Sequence, residues 1–382
     1  MPPFGNPPKP ASLLDFHRVL APSAGVRVSP LCLGAMNFGD AWEDVMGKCD
    51  KKTSFEMMDY FYEMGGNFID TSNNYQNEES ELWIGEWMAA RKNRDEIVLA
   101  TKFTTCYPDP RNPPRQKINF AGNHTKSLHV SLEASLKKLQ TDYIDLLYVH
   151  WWDFTTGVAE VMQSLNHMVQ RGKVLYLGVS DTPAWVVSKA NEYARQNGLR
   201  PFSVYQGRWS AAERDFEREI LPMATSEGMA LAPWGSLGGG NFKTAEQRKS
   251  SEGRNMAPPS EKQLKLSVKL EEIAKKKNTL LTSVAMAYVM HKAPYVFPIV
   301  GGRKVEHLKG NIEALGLELS DEEVDEIDKE SGFEIGFPMN FLFEWMGAKY
   351  STRQTSSDIG LLQFAGKLDS VQNARPIKPH GM

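Results

Sequence analysis

Cysteine is scarce in this sequence, charge of one sign does not dominate, and no long apolar run occurs. Each shortage removes a class of function. The three cysteines among 382 residues, Cys32, Cys49 and Cys106, have neither CxxC nor Cys/His ligand spacing. That argues against a disulfide framework and against a bound metal, and it fits a reducing, cytoplasmic setting. No stretch approaches the roughly 20 apolar residues needed to cross a bilayer, so no membrane partner is expected. The net charge is −3 with no basic stripe, so a nucleic-acid partner is not expected either. The proline-rich first ten residues lack the basic region and apolar core of a secretory signal, and residues 1–25 are expected to form an extended arm.

What the chain does have is alternation. From Val26 short β-rich runs are followed by longer amphipathic segments, the pattern of a parallel sheet covered by helices. Eight such runs are expected over residues 26–330, which predicts a (β/α)₈ barrel, followed by a C-terminal extension over 331–382. A doubly wound open sheet is the competing fold, but Gly34 to Gly39 does not have the GxGxxG spacing that such a sheet carries after its first strand. Capping-box spacing at Thr53–Glu56 and at Ser320–Glu323 predicts two helix starts, and Thr182-Pro183 predicts an N-cap followed by a proline at the first helical position. The loop from Phe103 to about Gly122 is long enough to serve as a lid. The aromatics of the extension are expected to pack over the barrel mouth or a neighbouring subunit, because so many exposed rings would be a liability.

The polar residues Asp70, Lys102, His150, Ser180, Gln206 and the turn at 301–303 all fall at strand ends, the face on which such barrels carry their active sites. Asp70 closes an apolar run, and four small polar residues then lead to Tyr75. A lysine beside a phenol favours its ionised form, so Lys102 is expected to lower the Tyr75 pKa toward a range useful for proton transfer. Asp70 would hold the lysine charged, and His150 could direct a carbonyl oxygen toward the phenol. No Gly-x-Ser-x-Gly motif is present, so acyl transfer has no support.

These residues resemble those of the aldo-keto reductases. The resemblance lies in Phe68-Ile69-Asp70-Thr71-Ser72-Asn73-Asn74-Tyr75, Ala100-Thr101-Lys102, Asp142 through His150, Gly178-Val179-Ser180-Asp181 and Pro298 through Arg303, in the family's order. It implies the same barrel and a catalytic tetrad of Tyr75 as proton donor, Lys102 and Asp70 tuning it, and His150 orienting the carbonyl. It further implies NADP(H) bound without a Rossmann fold. Ser180, Asp181 and Gln206 would then hold the nicotinamide carboxamide, and Trp234 would stack on the ring. Gly235, Ser236, Leu237, Gly238 and Gly239 would wrap the pyrophosphate. Arg303, with Lys304 and His307, would meet the adenosine 2′-phosphate, which favours NADP(H) over NAD(H) because a guanidinium grips phosphate bidentately. Asn311 would meet the adenine, and Gly34, Met36 and Gly302 complete the cofactor-binding set.

The chain departs from the family where Asp181 replaces the usual Asn and Gly310 the usual acidic residue, and Trp234 stands where many members have Tyr. Trp42, Tyr107, Trp151 and Trp152 lie in loops on the same face and are expected to form aromatic substrate walls. The paired tryptophans and long extension also look like the fungal aryl-alcohol dehydrogenase branch. The expected small-molecule partner is therefore an aromatic aldehyde or alcohol, interconverted by hydride transfer. Similar barrels also serve as cofactor-binding regulatory subunits of ion channels with little turnover, and that reading stays open beside the enzyme. The oligomeric state is open as well.

Overall fold

A computed structural model of the chain describes residues 8–249 and 258–380. Strands β1 (Arg18–Ala21) and β2 (Ala24–Val28) form an antiparallel hairpin. The chain continues through β3 (Cys32–Gly34), α1 (Glu43–Met46), α2 (Lys51–Glu63), β4 (Phe68–Asp70), α3 (Glu79–Arg91), β5 (Val98–Phe103), α4 (Thr125–Leu139) and β6 (Ile144–Val149). Next come α5 (Val158–Gln170), β7 (Val174–Ser180), α6 (Ala184–Gln196), β8 (Phe202–Arg208), α7 (Ile220–Ser226) and β9 (Ala230–Trp234). The last elements are α8 (Glu261–Lys276), α9 (Leu281–Lys292), β10 (Ile299–Val300), α10 (Val305–Glu313), α11 (Asp321–Glu330) and α12 (Met339–Phe343).

Strands β3 to β10 are paired in parallel in the order β10-β3-β4-β5-β6-β7-β8-β9. The two edges meet where the Leu231 N–H donates to the Tyr295 carbonyl at 2.9 Å and the Phe297 N–H to the Leu231 carbonyl at 2.8 Å. The sheet is thereby a nearly closed (β/α)₈ barrel. Side chains alternate along each strand. Phe68, Ala100, Leu146, Val204, Ala230 and Phe297 fill the inside, while Ile69, Leu99, Leu147, Tyr205 and Leu231 pack outward in the core shared with the helices.

The hairpin corrects the expectation of an extended arm over residues 1–25. Leu20, Ala21, Ala24 and Val28 join the cluster inside the barrel, and Ser29 and Arg27 exchange hydrogen bonds with Asn67 just before β4. It plugs the end of the barrel opposite the active-site face. The proline count of the first ten residues hid this apolar pair beyond it; residues 1–7 lie outside the described residues.

Two helix starts also move. Asp50, not Thr53, caps α2, its carboxylate accepting from the Thr53 N–H at 3.0 Å, because a carboxylate caps at least as well as a threonine hydroxyl. Pro183 is the N-cap of α6, and the Thr182 hydroxyl instead donates to the Ser180 carbonyl at 2.7 Å. The box at Ser320 and Glu323 forms as expected and starts α11.

The extension begins against the segment that follows β8 and then runs along α11. Arg214 donates to Ser331 at 2.9 Å, Arg218 to the Glu334 carbonyl at 2.7 Å, and Arg375 to Asp321 at 3.1 Å. His380 finally stacks on Phe16 at 4.1 Å. Its aromatics partner one another, as in Phe341 with Trp345 and Trp345 with Phe364.

Candidate active site

Asp70 ends β4 and Lys102 lies two residues beyond Ala100, its partner across the ladder in β5, so both side chains point into the barrel. The Lys102 Nζ donates to Asp70 Oδ1 at 2.5 Å, to the Thr71 carbonyl at 2.6 Å and to the Tyr75 hydroxyl at 3.4 Å. Gln206 donates to the other Asp70 oxygen at 2.9 Å. The His150 ring meets that of Tyr75 edge-on with centroids 6.1 Å apart. The structure thus brings the four expected residues together.

Burial works against the Lys102 charge, but Asp70 and Tyr75 outweigh it and hold the pKa above the ordinary lysine value. For Tyr75 the balance differs from the expectation. Burial is the largest influence and raises the phenol pKa, Asp70 adds to it, and the opposing pull of Lys102 does not bring it below the ordinary value. The phenol is therefore held protonated, with a charged lysine ready to stabilise the phenolate once the proton leaves.

Burial, aided by the Lys102 charge, lowers His150 to about 3, so the imidazole is neutral at any working pH. Its Nδ1 lies 3.2 Å from both the Ser72 and Thr105 hydroxyls. The Trp151 indole donates to the Thr105 oxygen at 3.0 Å. Two hydroxyls at Nδ1 fix the plane of the imidazole and leave Nε2 as the ring nitrogen without a partner of this kind.

The expected cofactor residues lie at or after the ends of β3 and β7 to β10 and along α10. The buried Ser180 hydroxyl has no hydrogen-bond partner among the described residues, as a group awaiting a ligand would. Asp181, at φ +40°, has its pKa raised by burial, against the opposing pull of the nearby Trp234 indole and Lys102. Gly235, Gly238, Gly239 and Gly240 all have positive φ, and a side chain on Gly239 or Gly240 would meet nothing within 4 Å. A run of positive-φ glycines beside open space is a backbone able to offer N–H donors to an anion such as a pyrophosphate. The Ser236 hydroxyl ties this loop to the Trp209 carbonyl at 3.2 Å, and Leu237 packs on the core.

Arg303, Lys304, His307 and Asn311 lie at β10 and along α10. The Arg303 guanidinium crosses Gly47, where a Cβ would stand 2.0 Å from Nη1, so the segment after β3 closes on this end of the cleft. Asn37 donates to the Gly302 carbonyl at 3.2 Å, and Met36 offers its carbonyl to Gln76 at 3.0 Å. Gly34 is required by packing, since a Cβ there would lie 2.6 Å from Ile299 Cγ2.

Of the four expected substrate walls, two stand at the opening. Trp42 meets the Tyr75 ring edge-on at 6.3 Å, and Trp151 is 38% exposed beside His150. Tyr107 does not line the opening: it is buried against Phe120 and Lys138, and its hydroxyl donates to the Val130 carbonyl at 3.1 Å. Trp152 is likewise buried, in the core between sheet and helices. Adjacent residues of extended chain face opposite ways, so only one of the paired tryptophans can face the mouth. Phe154, in the same loop after His150, is 69% exposed. It borders a cavity of about 510 Å³ at the ends of β7, β8 and β9, with Asp181, Arg208 and Trp234 among its walls. Missed were Thr105 and Ser72, whose only signal was a hydroxyl next to a strand end.

The profile of the Aldo/keto reductase family matches residues 30–331. The chain is 64% identical over 372 residues to norsolorinic acid reductase A of Aspergillus parasiticus, covering 97% of this chain and 95% of the other. It is 56% identical over 379 residues to an aryl-alcohol dehydrogenase of Pestalotiopsis microspora, covering 99% and 97%. An aldo-keto reductase of Emericella nidulans, ausK, is 50% identical over 346 residues, covering 88% and 86%.

Proposed function

Because this chain belongs to the aldo/keto reductase family, we propose that it reduces aromatic aldehydes to aryl alcohols with NADPH and catalyses the reverse oxidation. The observation that carries this reading is the buried, protonated Tyr75 hydroxyl 3.4 Å from the Lys102 ammonium. NADPH, when bound, supplies the hydride. Ser180, Asp181 and Gln206 would orient its carboxamide, Trp234 would back its ring, the glycines from 235 to 239 would hold the pyrophosphate, and Arg303 would meet the 2′-phosphate.

The chain's own residues supply the rest. His150, neutral, donates from Nε2 to the substrate carbonyl oxygen and fixes it beside Tyr75. Tyr75 gives its proton to that oxygen as alkoxide character develops. Lys102, held charged by Asp70, stabilises the phenolate left behind. Trp42 and Trp151 offer flat apolar faces to an aromatic ring. In the oxidation, the same phenolate takes the alcohol proton back.

A second substrate reading has its own support, since relatives at 64% identity are named for reducing norsolorinic acid. The experiment is steady-state NADPH consumption by the purified protein with a panel of benzaldehydes and with norsolorinic acid. Turnover of the benzaldehydes supports the first reading, and turnover of norsolorinic acid alone supports the second. NADPH binding without turnover of any compound would sink both and favour a regulatory, cofactor-binding role.

A further inference from the structure

The turn that carries Tyr75 is followed by a backbone that its sequence does not favour. Gln76, Asn77 and Glu78 have φ of +52°, +49° and +80°, three successive non-glycine residues in the left-handed region. Such a conformation persists only where the surroundings over-determine it. Here the side chains themselves do so. Gln76, 1% exposed, accepts from the Trp42 N–H at 2.7 Å and donates to the Met36 carbonyl at 3.0 Å. Asn77 accepts from the Trp42 indole at 3.1 Å, and Glu78 pairs with Lys138 at 3.1 Å. The segment after β3 can come this close because residue 39 is glycine; a Cβ there would lie 2.2 Å from that of Gln76.

We propose that Gln76 is a positioning residue for the reaction: by clasping the segment Met36–Trp42 it fixes the Tyr75 hydroxyl against Lys102 and seats Trp42 on the Tyr75 ring. The amide suits this task because it both donates and accepts, so one side chain satisfies a carbonyl and an N–H of the same loop. Lys138 holds the other flank, donating to the Asn73 carbonyl at 3.0 Å from within a buried pair with Glu81 at 2.7 Å. The turn is thus gripped on both sides of the phenol. This inference rests on Tyr75 being the proton donor.

The test is Gln76→Gly, which deletes both side-chain bonds while relieving the backbone, since glycine is at ease at positive φ. The result expected is a fall in kcat of about 10- to 100-fold, the size of effect that small misplacement of a reacting group produces. NADPH affinity by fluorescence titration falls much less than kcat, because the clasp reaches the expected cofactor residues only through the Met36 carbonyl. The alkaline limb of the kcat profile moves to higher pH, because Lys102 is the group that opposes the rise in the phenol pKa. Gln76→Met keeps the volume and loses both bonds, and should reproduce the loss of kcat if the glycine variant does not fold. Unchanged kcat in either folded variant overturns the positioning role. Tyr75→Phe is the control: full activity there overturns the proton-donor assignment itself, whereas its inactivity beside fully active Gln76 variants overturns only the clasp.

Discussion

The Lys102 ammonium stands 2.5 Å from the Asp70 carboxylate, with both side chains almost wholly removed from water. Removing one partner of such a pair leaves an unpaired buried charge, which costs about 3–5 kcal/mol. Lys102→Met should therefore lower stability by that amount in urea or guanidinium unfolding, and should also lower carbonyl reduction about 10²- to 10⁴-fold, the usual weight of acid–base assistance. A variant that loses activity but no stability would show that the pair is not the structural strut the geometry describes.

His150 gives a pH prediction with a definite sign. Its pKa is lowered from 6.5 to about 3 in the folded chain, so between these values the unfolded chain binds the extra proton. Stability attributable to this residue is complete above pH 6.5 and is lost progressively as pH falls toward 3. The melting temperature of His150→Gln should thus drop less between pH 7 and pH 4.5 than that of the parent. Equal drops would mean that the imidazole is solvated.

The Trp151 to Thr105 to His150 chain predicts an effect away from the substrate. Thr105→Val removes a hydroxyl that bonds the His150 Nδ1, and kcat should fall about tenfold, the value of one hydrogen bond of roughly 1.5 kcal/mol, with NADPH affinity unchanged. Full activity would leave Ser72 as the sole partner that matters.

How much of this was legible beforehand depends on whether a residue acts locally or by pairing at a distance. The barrel and its tetrad were readable because several strands carry a polar residue at or beside their ends, as Asp70, Lys102 and His150 do. Tyr107 and Trp152 were not, because an aromatic in a loop looks the same whether it lines an opening or packs under it, and only the fold buries one ring of the Trp151 and Trp152 pair. Gln76 was invisible for a related reason: its partners Met36 and Trp42 are distant in sequence and both offer backbone atoms. The raised Tyr75 pKa depended on how deeply the phenol is buried, which no spacing of residues reports.

For the cofactor, Arg303 at the adenosine end should select for the 2′-phosphate. A hydrogen bond to a charged group is worth about 1.5–3 kcal/mol, so Arg303→Ala should weaken NADPH binding about 10- to 100-fold and leave NADH binding nearly unchanged. Equal losses for both, by fluorescence titration, would remove that role from Arg303.

The most direct test of the chemistry is the reduction rate of Tyr75→Phe with the best aromatic carbonyl substrate, measured beside its affinity for NADPH. With Tyr75 as the proton donor, affinity is retained and kcat falls at least about 10²-fold, because only the hydroxyl that faces Lys102 is gone. Turnover close to that of the parent would contradict the account, and the proton would have to come from another group.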